Sequence, residues 1–458
     1  MTRSEWIQLG YLVAAVCFIL ALKGLSSPKT ARYGNFIGAG GAILAVVVTC
    51  FYPNMSNWPL IIGSVVLGTV IGVPAARAVP MTAIPQMVAA FNGVGGAAAA
   101  LVAVADFRTH SNAGWAVALA VVFSTAVGFI SFTGSCITFG KLQEIMTTRP
   151  VLVPGGRFIS FGLLAALVVL VVVVIGTGSV PALAALAVVG LIFGVMLVLP
   201  VGGADMAIVI SLLNSFTGLA VAASGAVLRN TLLIVAGTLV GASGALLTHL
   251  MSQAMGRSIG NIMFGAFTSK AVTAGAGAAS GRSVRTGTVD DIAILLAYSR
   301  KVVVVPGYGL AVAQAQHTVR ELADLLESKG VEVSYAIHPV AGRMPGHMNV
   351  LLAEANVPYE QLKEMDEVNP EFARTDVVVV VGANDVVNPA AREDASSPIY
   401  GMPILDVDAA QHVVFLKRSM RPGFAGIENE LLFGDKTTML FGDAKDTLTK
   451  LVGAVKSA

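Results

Sequence analysis

The chain has 458 residues, of which 55% are hydrophobic and only 12% are charged, and its mean hydropathy is +0.78. Soluble domains carry about 25% charged residues, so this composition excludes an ordinary soluble protein. The formal net charge of +2 is too small to indicate a nucleic acid as partner.

The charged residues divide the chain into two parts. Residues 1–256 contain ten Lys or Arg and four Asp or Glu, whereas residues 257–458 contain nineteen and twenty-three. The first part has the composition of a membrane domain and the second that of a soluble domain. We therefore predict the main domain boundary after residue 256.

Nine apolar stretches in the first part are long enough, or nearly so, to cross a bilayer core of about 30 Å as helices. They cover residues 6–22, 35–52, 59–76, 84–105, 114–139, 158–176, 180–200, 204–224 and 230–252. The first stretch is interpreted as a retained span, because no small-residue cleavage site follows it. Frequent Gly, Ala and Ser favour a closely packed bundle of these helices.

Basic residues in the loops predict the orientation of the bundle. The loops after the first, third and fifth stretches carry Lys23, Lys29, Arg32, Arg77, Lys141, Arg149 and Arg157. The opposite side carries only Arg3, Arg108 and Arg229. Positive charge marks the cytoplasmic side, so we expect the N-terminus outside and the soluble part in the cytoplasm.

Polar residues inside the apolar stretches are few, and each is costly in lipid. The candidates for a proton path are Asn92, Ser131, Asp205, Asn214, Ser243 and His249. For the Ser and Asn candidates the alternative is hydrogen bonding between helices. The fifth stretch carries a further serine, Ser135. Capping of the eighth helix is the alternative for Asp205.

The three cysteines, Cys17, Cys50 and Cys136, lie in apolar stretches and have no metal-ligand spacing. This pattern predicts three buried free thiols and supports neither a disulfide framework nor a metal site.

Residues 257–288 are rich in Gly, Ala, Ser and Thr and show no apolar periodicity. They are interpreted as a flexible linker between the bundle and a domain that covers residues 289–458. Asp290 or Asp291 is expected to cap a short helix that ends near Arg300.

The last part of the chain alternates predicted strands with helices. The strands are Val302–Val305, Val331–Ile337, Val377–Val381, Val413–Leu416 and Met439–Phe441, and the helices are Ala311–Lys329 and Ala444–Val455. Continuous apolar strands between helices indicate a parallel sheet covered on both faces. We therefore predict a polytopic α-helical membrane bundle followed by a Rossmann-like, doubly wound α/β domain.

A glycine turn follows the first strand, in the segment Pro306–Val312. Gly307 would permit the tight turn, and Gly309 would let a pyrophosphate approach the backbone at a helix N-terminus. Val312 stands where this fingerprint usually has Gly or Ala, so an ordinary strand-to-helix turn stays an alternative. The second strand ends at His338 without the acid that usually holds the ribose of NAD, which favours NADP.

Three later segments carry charge at loop or strand ends. Arg343 lies in a loop of glycines and prolines after His338 and suits a phosphate. The segment Gly382–Asp385 ends a strand where such sheets bind ligands, and its acid is either functional or a helix cap. The run Lys417–Ser419 suits a 2′-phosphate, with exposed surface charge as the alternative for these cations.

Longer motifs extend these observations over essentially the whole chain. They are Gly307–Gln316, His338–Glu354, Gly382–Ala390, Gly401–Pro403, Lys417–Met420, Gly423–Gly426, Gly442–Ala444, Phe132–Ser135, Gly140–Leu142, Gly202–Met206, Leu213–Ser215 and Gly241–Gly244. In these segments the chain resembles the beta subunit of proton-translocating NAD(P) transhydrogenases. The resemblance implies hydride transfer from NADH to NADP⁺ coupled to inward proton movement, with NADP(H) bound by this chain.

The resemblance also implies a partner alpha subunit that binds NAD(H), a dimer of alpha–beta units, and surrounding lipid of an inner membrane. NADP(H) would lie over the carboxyl edge of the sheet, covered by the loops after His338 and Pro422. The candidate cofactor-binding residues are Gly307, Tyr308, Gly309, Ala311, Val312, Val340, Ala341, Gly342, Arg343, Pro345, Gly346, Gly382, Ala383, Asn384, Asp385, Lys417, Arg418, Ser419, Gly423, Phe424, Gly442, Asp443 and Ala444. Asp385, the candidate catalytic residue, is similar to a family acid that links NADP(H) binding to protonation.

One residue departs from the family pattern. Some relatives have His in the fourth helix, where this chain has Asn92, and Asn does not take up a proton in the physiological range. This leaves His249 or a residue of the partner subunit as the proton carrier. We expect the linker near residues 257–283 to transmit coupling between bundle and nucleotide.

Two other classes of protein stay open at this point. One is a channel or transporter gated by a nucleotide-binding Rossmann domain, although no pore-loop segment is visible between the apolar stretches. The other is a reductase anchored in lipid, for which nine spans with internal polar residues are excessive.

Overall fold

The computed structural model describes residues 3–52, 55–109, 114–147, 150–202, 205–255, 258–264, 283–342, 346–394, 397, 399–423 and 425–458. The chain divides into two compact units. The first comprises Met1–Gly202 and Ile208–Thr248, and the second comprises Gly203–Ala207 and His249–Ala458. The first unit is helical and the second contains a sheet.

Nine helices among the described residues are long and apolar enough to cross a membrane, as the sequence predicts. They are α1 (Arg3–Leu25), α2 (Pro28–Cys50), α3 (Trp58–Ala78), α4 (Ile84–Thr109), α5 (Trp115–Leu142), α6 (Gly156–Thr177), α7 (Val180–Val198), α8 (Met206–Val227) and α9 (Thr231–Ala254). A helix is the form these stretches take because lipid offers no hydrogen-bonding partner to an open backbone.

Small residues allow these helices to approach closely. A Cβ atom on Gly128 of α5 would lie 2.6 Å from the Gly96 carbonyl oxygen of α4. A Cβ atom on Gly194 of α7 would lie 2.4 Å from the Ile130 carbonyl oxygen of α5. Larger residues would force α4, α5 and α7 apart, so the glycine content of the sequence is a packing requirement.

The three thiols are free, but they are less buried than the sequence analysis expects. Cys17 and Cys50 are half-buried, and Cys136 is exposed on the surface of the chain. The prediction of burial is therefore wrong for Cys136, because the side of α5 that carries it faces none of the described helices. An apolar stretch in a membrane protein does not distinguish the outer from the inner side of a helix.

Two short helices, α10 (Ile259–Phe264) and α11 (Val289–Ala297), precede the sheet. The expectation that an aspartate caps α11 is wrong. Thr288 is the N-cap, its Oγ1 accepts from the backbone N–H of Asp291 at 3.2 Å, and Asp291 completes a capping box. Most of the predicted linker, residues 265–282, lies outside the described residues.

The sheet has six parallel strands. They are β1 (Lys301–Pro306), β2 (Glu332–Ile337), β3 (Leu362–Glu364), β4 (Val377–Val381), β5 (His412–Lys417) and β6 (Thr437–Phe441). Their spatial order is β3-β2-β1-β4-β5-β6, which confirms the doubly wound fold. The chain leaves β1 toward one edge and returns to its other side as β4, so a crevice opens at the carboxyl ends of these two strands.

The last predicted linker residues belong to this sheet domain. Met439 in β6 donates its N–H to the Arg285 carbonyl oxygen at 2.8 Å and accepts from Gly287 at 3.1 Å. The hydrogen bonding of the domain thus begins at residue 285, a few residues before the predicted boundary at 289.

The same domain contains six further helices. They are α12 (Tyr308–Val312), α13 (Gln316–Ser328), α14 (His347–Glu354), α15 (Met365–Val368), α16 (Ala390–Glu393) and α17 (Ala444–Ser457). The valines of β1 point alternately into two cores, Val302 and Val304 on one face, Val303 and Val305 on the other. The single helix predicted over Ala311–Lys329 is wrong, because Gln314 adopts the left-handed conformation with φ +51° and separates α12 from α13.

Candidate functional site

The turns after β1 and β4 meet through glycines at the carboxyl edge of the sheet. Gly307 donates its N–H to the Val381 carbonyl oxygen and Gly309 donates to that of Gly382, both at 2.9 Å. A Cβ atom on Gly307 would lie 2.4 Å from the backbone of Ala383. Gly382 has φ +71°, and a Cβ atom there would lie 2.3 Å from the Leu310 nitrogen. Residues with side chains do not fit, so the floor of the crevice is bare backbone.

The role predicted for Gly309 has a second explanation in this geometry. A Cβ atom on Gly309 would lie 2.7 Å from the Gly382 Cα, so this glycine is required by the neighbouring turn with or without a ligand. The helix that follows, α12, has only five residues and offers a weak dipole to a pyrophosphate. Within it Ala311 is buried, whereas Val312 is half exposed.

A polar cluster follows β4. The Lys417 ammonium at the end of β5 donates to Asn384 Oδ1 at 2.9 Å, and Asn384 Nδ2 donates to Asp385 Oδ1 at 2.9 Å. Burial lowers the pKa of Lys417, and the Asp385 carboxylate opposes part of that shift. These three residues, which the sequence places in two separate motifs, therefore form one hydrogen-bonded group beside the crevice.

Asp385 does not cap a helix, which was the alternative to a functional role. It opens a 3₁₀ turn, and its Oδ2 accepts from the backbone N–H of Ala425 at 2.9 Å. The chain passes close by, since a Cβ atom on Gly423 would lie 2.5 Å from Asp385 Oδ1. The carboxylate thus joins the end of β4 to the segment that follows β5.

The two adjacent cations of the Lys417–Ser419 run have different partners. Arg418 is exposed and pairs with Asp443 at 2.5 Å between Nη2 and Oδ2. This hydrogen-bonded ion pair lowers the pKa of Asp443, which is also the N-cap of α17. Lys417 turns toward β4 and Arg418 toward the turn before α17, where Gly442 and Ala444 also lie, so the predicted phosphate pocket has two separate cationic sides.

His338 closes β2 as a buried, neutral side chain. Its Nε2 lies 2.8 Å from the Pro403 carbonyl oxygen, and its Nδ1 accepts from the backbone N–H of Val340 at 3.2 Å. The carbonyl requires Nε2 to carry the proton. Burial lowers the pKa of His338 to about 4, against a weaker opposing effect of the Pro403 hydrogen bond. His338 thus fastens the loop after β2 to the loop before β5.

The other candidates after β2 lie partly outside the described residues. Ala341 is buried, Gly342 has φ +111°, and Gly346 is the N-cap of α14. The ring of Tyr308 lies 6.1 Å from that of His347, which brings the turns after β1 and β2 together. Three candidates, Arg343, Pro345 and Phe424, lie outside the described residues.

Sequence reasoning missed two asparagines beside this cluster. Asn388 is fully buried and donates to the Glu428 carbonyl oxygen at 3.1 Å. Asn429 is 1% exposed and donates to the Asn384 carbonyl oxygen at 3.0 Å. An asparagine next to a proline or a glutamate looks like a loop residue, so no pattern in the sequence indicates them.

A second polar group lies inside the membrane bundle. Asn92 Nδ2 of α4 lies 3.2 Å from Ser131 Oγ and 2.9 Å from Ser135 Oγ, both of α5. The Ser131 hydroxyl also lies 2.6 Å from that of Thr217 and donates to the Leu213 carbonyl oxygen of α8. The candidates Asn92 and Ser131 are thus brought together, and Thr217 joins them to α8.

The line of hydrogen bonds between α4, α5 and α8, called here the α4–α5–α8 seam, continues two turns further along these helices. The hydroxyls of Ser124 and Ser224 lie 2.7 Å apart, and both contact the Ala99 carbonyl oxygen of α4. Ser124 precedes Ser131, and Thr217 precedes Ser224, by seven residues, which is two helical turns. This spacing was a signal for the missed hydroxyls.

The remaining proton-path candidates are not part of this group. Asn214 is half-buried, and Asp205 is half-buried directly before α8. Ser243 is exposed and bonds to the Val240 carbonyl oxygen of its own helix, and the side chain of His249 is exposed on α9. Their participation stays a prediction.

Lys141 was counted as a loop charge, and this is wrong. It lies in the last turn of α5 with 1% of its surface exposed. Its ammonium donates to the carbonyl oxygens of Leu199, at 2.5 Å, and of Val201. A cation at the end of α7 is favourable because the carbonyl groups of a helix C-terminus carry partial negative charge.

Comparison with known proteins shows that one family matches both units of the chain. Residues 7–454 match the family model described as "NAD(P) transhydrogenase beta subunit". The chain is 50% identical over 464 aligned positions to the NAD(P) transhydrogenase subunit beta of Rhodospirillum rubrum, covering 99% of this chain and 100% of that protein. The same values are obtained for the subunit from a particular strain of that species. The chain belongs to the NAD(P) transhydrogenase beta subunit family.

Proposed function

We propose that this chain is the NADP(H)-binding membrane subunit of a transhydrogenase. It acts with an alpha subunit that binds NAD(H), passes hydride between NADH and NADP⁺, and couples this reaction to inward proton movement. The observation that carries the proposal is the bare-backbone crevice between β1 and β4 with Lys417 at its side. The family to which the chain belongs supports it independently.

The residues at the crevice suit a dinucleotide with an additional phosphate. The turns at Gly307, Gly309 and Gly382 would lie against the pyrophosphate. The N–H groups of Gly307 and Gly309 already bond to the Val381 and Gly382 carbonyl oxygens, so these glycines would contribute close approach of the backbone rather than donors. Lys417 and Arg418 would hold the 2′-phosphate, and β2 ends at a neutral His338 where a carboxylate would repel it. When bound, the nicotinamide supplies the hydride chemistry, and the protein supplies binding and orientation.

Asp385 is the acid we assign to coupling. As a carboxylate it accepts the hydrogen bond from Ala425 and attracts the Lys417 ammonium. Protonation would weaken both interactions and so loosen the segment after β5. The protonation state of Asp385 would therefore change how tightly this segment covers the cofactor. Coupling requires such a link between proton uptake and cofactor binding.

The hydrogen-bonded group of Asn92, Ser131 and Thr217 is our candidate for part of the proton path. A hydroxyl group can accept one hydrogen bond while it donates another, so a row of hydroxyl groups can relay a proton. The proton carrier is then His249 or a residue of the alpha subunit. We place the bundle in an inner membrane with its N-terminus outside and the nucleotide domain in the cytoplasm, in a dimer of alpha–beta units.

Nucleotide binding by the full-length subunit in detergent tests this proposal. Titration calorimetry should show tight binding of NADPH and weak binding of NADH. Lys417→Ala and Arg418→Ala should each weaken NADPH binding about tenfold to a hundredfold, because hydrogen bonds to charged groups contribute about 1.5–3 kcal/mol. Neither change should alter NADH binding.

Lys329→Ala is the matched control, since Lys329 is an exposed cation just before β2, at the opposite edge of the sheet. It should bind both nucleotides as the wild type does. Preference for NADH, or no dinucleotide binding by a folded subunit, would contradict the proposal and favour a protein gated by some other ligand.

A further inference from the structure

Two buried asparagines, Asn388 and Asn429, bond to each other's segments where the chain after β5 comes back toward the sheet. After β5, the backbone N–H of Ala425 donates to Asp385 Oδ2. Further along this segment stands Asn429, which is 1% exposed, and opposite it Asn388, which is fully buried. Buried amides are costly unless all their groups are bonded, so the bonds these two make are informative.

Asn429 uses both ends of its amide. Its Nδ2 donates to the Asn384 carbonyl oxygen at 3.0 Å, across 45 residues of sequence. Its Oδ1 accepts from the backbone N–H of Leu431 at 3.0 Å and caps a 3₁₀ turn. One half of the amide is thus a local cap, and the other half is a long-range link to the end of β4.

Asn388 repeats this arrangement from the other side. Its Nδ2 donates to the Glu428 carbonyl oxygen at 3.1 Å, and its Oδ1 accepts from the backbone N–H of Ala390 at 3.1 Å. Two consecutive residues, Glu428 and Asn429, are therefore each held to the segment after β4. These two bonds hold the chain to the segment after β4 at residues 428 and 429.

The link from Asn429 leads directly to the cationic side of the site. Its acceptor is the peptide of Asn384, whose side-chain Oδ1 accepts from Lys417 and whose Nδ2 donates to Asp385. Asn384 has φ −146° and ψ −65°, outside the regular helix and strand regions, so its conformation depends on such outside contacts. Rotation of this peptide would move the acceptor of Lys417.

We propose that Asn429 is a positioning residue for the nucleotide site. Its amide orients Asn384 and thereby Lys417 and Asp385, and together with Asn388 it holds Glu428 and Asn429 to the segment after β4. This inference rests on the proposed function, because it assumes that the cluster holds NADP(H). It adds two residues, Asn429 and Asn388, that act through the Asn384 and Glu428 carbonyl oxygens and determine how long NADP(H) stays bound.

Asn429→Asp is the sharpest variant. Aspartate is nearly isosteric and keeps the acceptor for Leu431, but it loses the donor to Asn384. We expect NADPH to leave the full-length subunit about tenfold faster, which corresponds to one lost hydrogen bond, with association changed less than threefold. Stopped-flow displacement of bound NADPH measures this rate. Asn388→Asp should accelerate release by a smaller factor, because its link is one step further from Lys417.

Asn369 provides the matched control. Its Nδ2 donates to the Ile404 carbonyl oxygen at 3.1 Å and its Oδ1 accepts from the backbone N–H of Asp406 at 3.2 Å, so it makes a similar double link elsewhere in the domain. Asn369→Asp should lower stability without changing the release rate. Asn429→Ala, which introduces no charge, should accelerate release as Asn429→Asp does, and it serves if the aspartate variant does not fold.

The outcomes separate the two proposals. Unchanged release in both Asn429 variants, with normal NADPH binding by the wild type, would overturn this inference and leave the proposed function intact. Equal acceleration in Asn369→Asp would also overturn it, by showing a general loss of stability. A wild-type subunit that binds no NADPH would overturn the proposed function and this inference with it.

Discussion

The two units of the chain place their buried polar groups in opposite ways. In the membrane bundle, Ser124, Ser131 and Thr217 lie in the interior and bond to neighbouring helices along their length. In the nucleotide domain the sheet interior is lined by valines, and Asn384 and Lys417 gather at its carboxyl edge. Polar groups thus connect helices along their length in the bundle, and in the other unit they connect loops and strand ends at the carboxyl edge of the sheet.

The difference follows from the surroundings of each unit. Water drives apolar side chains together, so the core of the sheet is held mainly by apolar contacts. Lipid tails are as apolar as the helix surfaces, so helices in a membrane associate through close packing and hydrogen bonds. A single change should therefore act through backbone strain at the edge of the sheet and through lost hydrogen bonds in the bundle.

The largest effect is expected at the meeting point of the two glycine turns. Gly382→Ala places a side chain at φ +71° and 2.3 Å from the Leu310 nitrogen, so the left-handed strain and a backbone clash act together. We expect the nucleotide domain to lose about 3 kcal/mol or more of stability. Hydrogen exchange of β1 and β4 peptides in the full-length subunit would measure the loss.

Gly330→Ala separates the two causes. Gly330 has φ +89°, but a Cβ atom there meets no described atom within 4 Å. It should cost only about 1 kcal/mol, the strain alone. Equal losses in the two variants would show that the close approach of the β1 and β4 turns is not what fixes the glycine at 382.

The sequence predicts those features of this domain that neighbouring residues determine, and it misses those that depend on distant residues. Val377–Val381 was predicted with its observed bounds, because five consecutive valines between polar residues suit only a buried strand. β3 was missed, because three residues with one buried side chain carry no period. The break at Gln314 was missed as well, since nothing in that residue type requires a left-handed conformation.

The sites follow the same rule. The sequence indicated the glycine turns and the cation pair at Lys417 as candidates because they stand at the ends of recognisable strands. The partners of Lys141 and Asn429 were not found, because they lie 58 and 45 residues away in sequence and only the folded chain brings them near. Motifs predicted segments that meet at the carboxyl edge of the sheet, and tertiary contacts decided which of their side chains bond to one another.

An intermediate effect is expected in the bundle. Ser131→Ala removes the contacts with Asn92, Thr217 and the Leu213 carbonyl oxygen. We expect a loss of about 1–2 kcal/mol, measured as the thermal stability of the solubilised subunit. If the seam carries protons, pumping by the complex with the alpha subunit should fall more than hydride transfer does.

Ser243→Ala is the matched change outside the seam. Ser243 is exposed and bonds only to the Val240 carbonyl oxygen one turn back in the described chain, so its loss should stay within about 0.5 kcal/mol. A larger effect of Ser243→Ala than of Ser131→Ala on pumping would move the proposed path from the α4–α5–α8 seam to the outer side of α9.

The smallest effect is expected at His338 and depends on pH. The folded chain keeps this side chain neutral because burial lowers its pKa to about 4, whereas an unfolded histidine has a pKa of about 6.5. As the pH falls below 6.5 the unfolded chain takes up a proton and the folded chain does not, so stability declines until about pH 4. The linkage relation gives a loss of about 1 kcal/mol at pH 5.5.

The loss should appear first where the imidazole is held. Protonation would place an N–H on Nδ1 against the N–H of Val340, so the loop after β2 should show faster hydrogen exchange at pH 5.5 than at pH 7.5 once intrinsic rates are corrected. His338→Gln should make this protection independent of pH. His412→Gln, a change at an exposed histidine of the same sheet, should keep the wild-type dependence. A wild-type loop whose protection is unchanged down to pH 4.5 would mean that His338 is protonated at no cost, and the edge of the sheet would then be less sealed from water than the burial of this imidazole indicates.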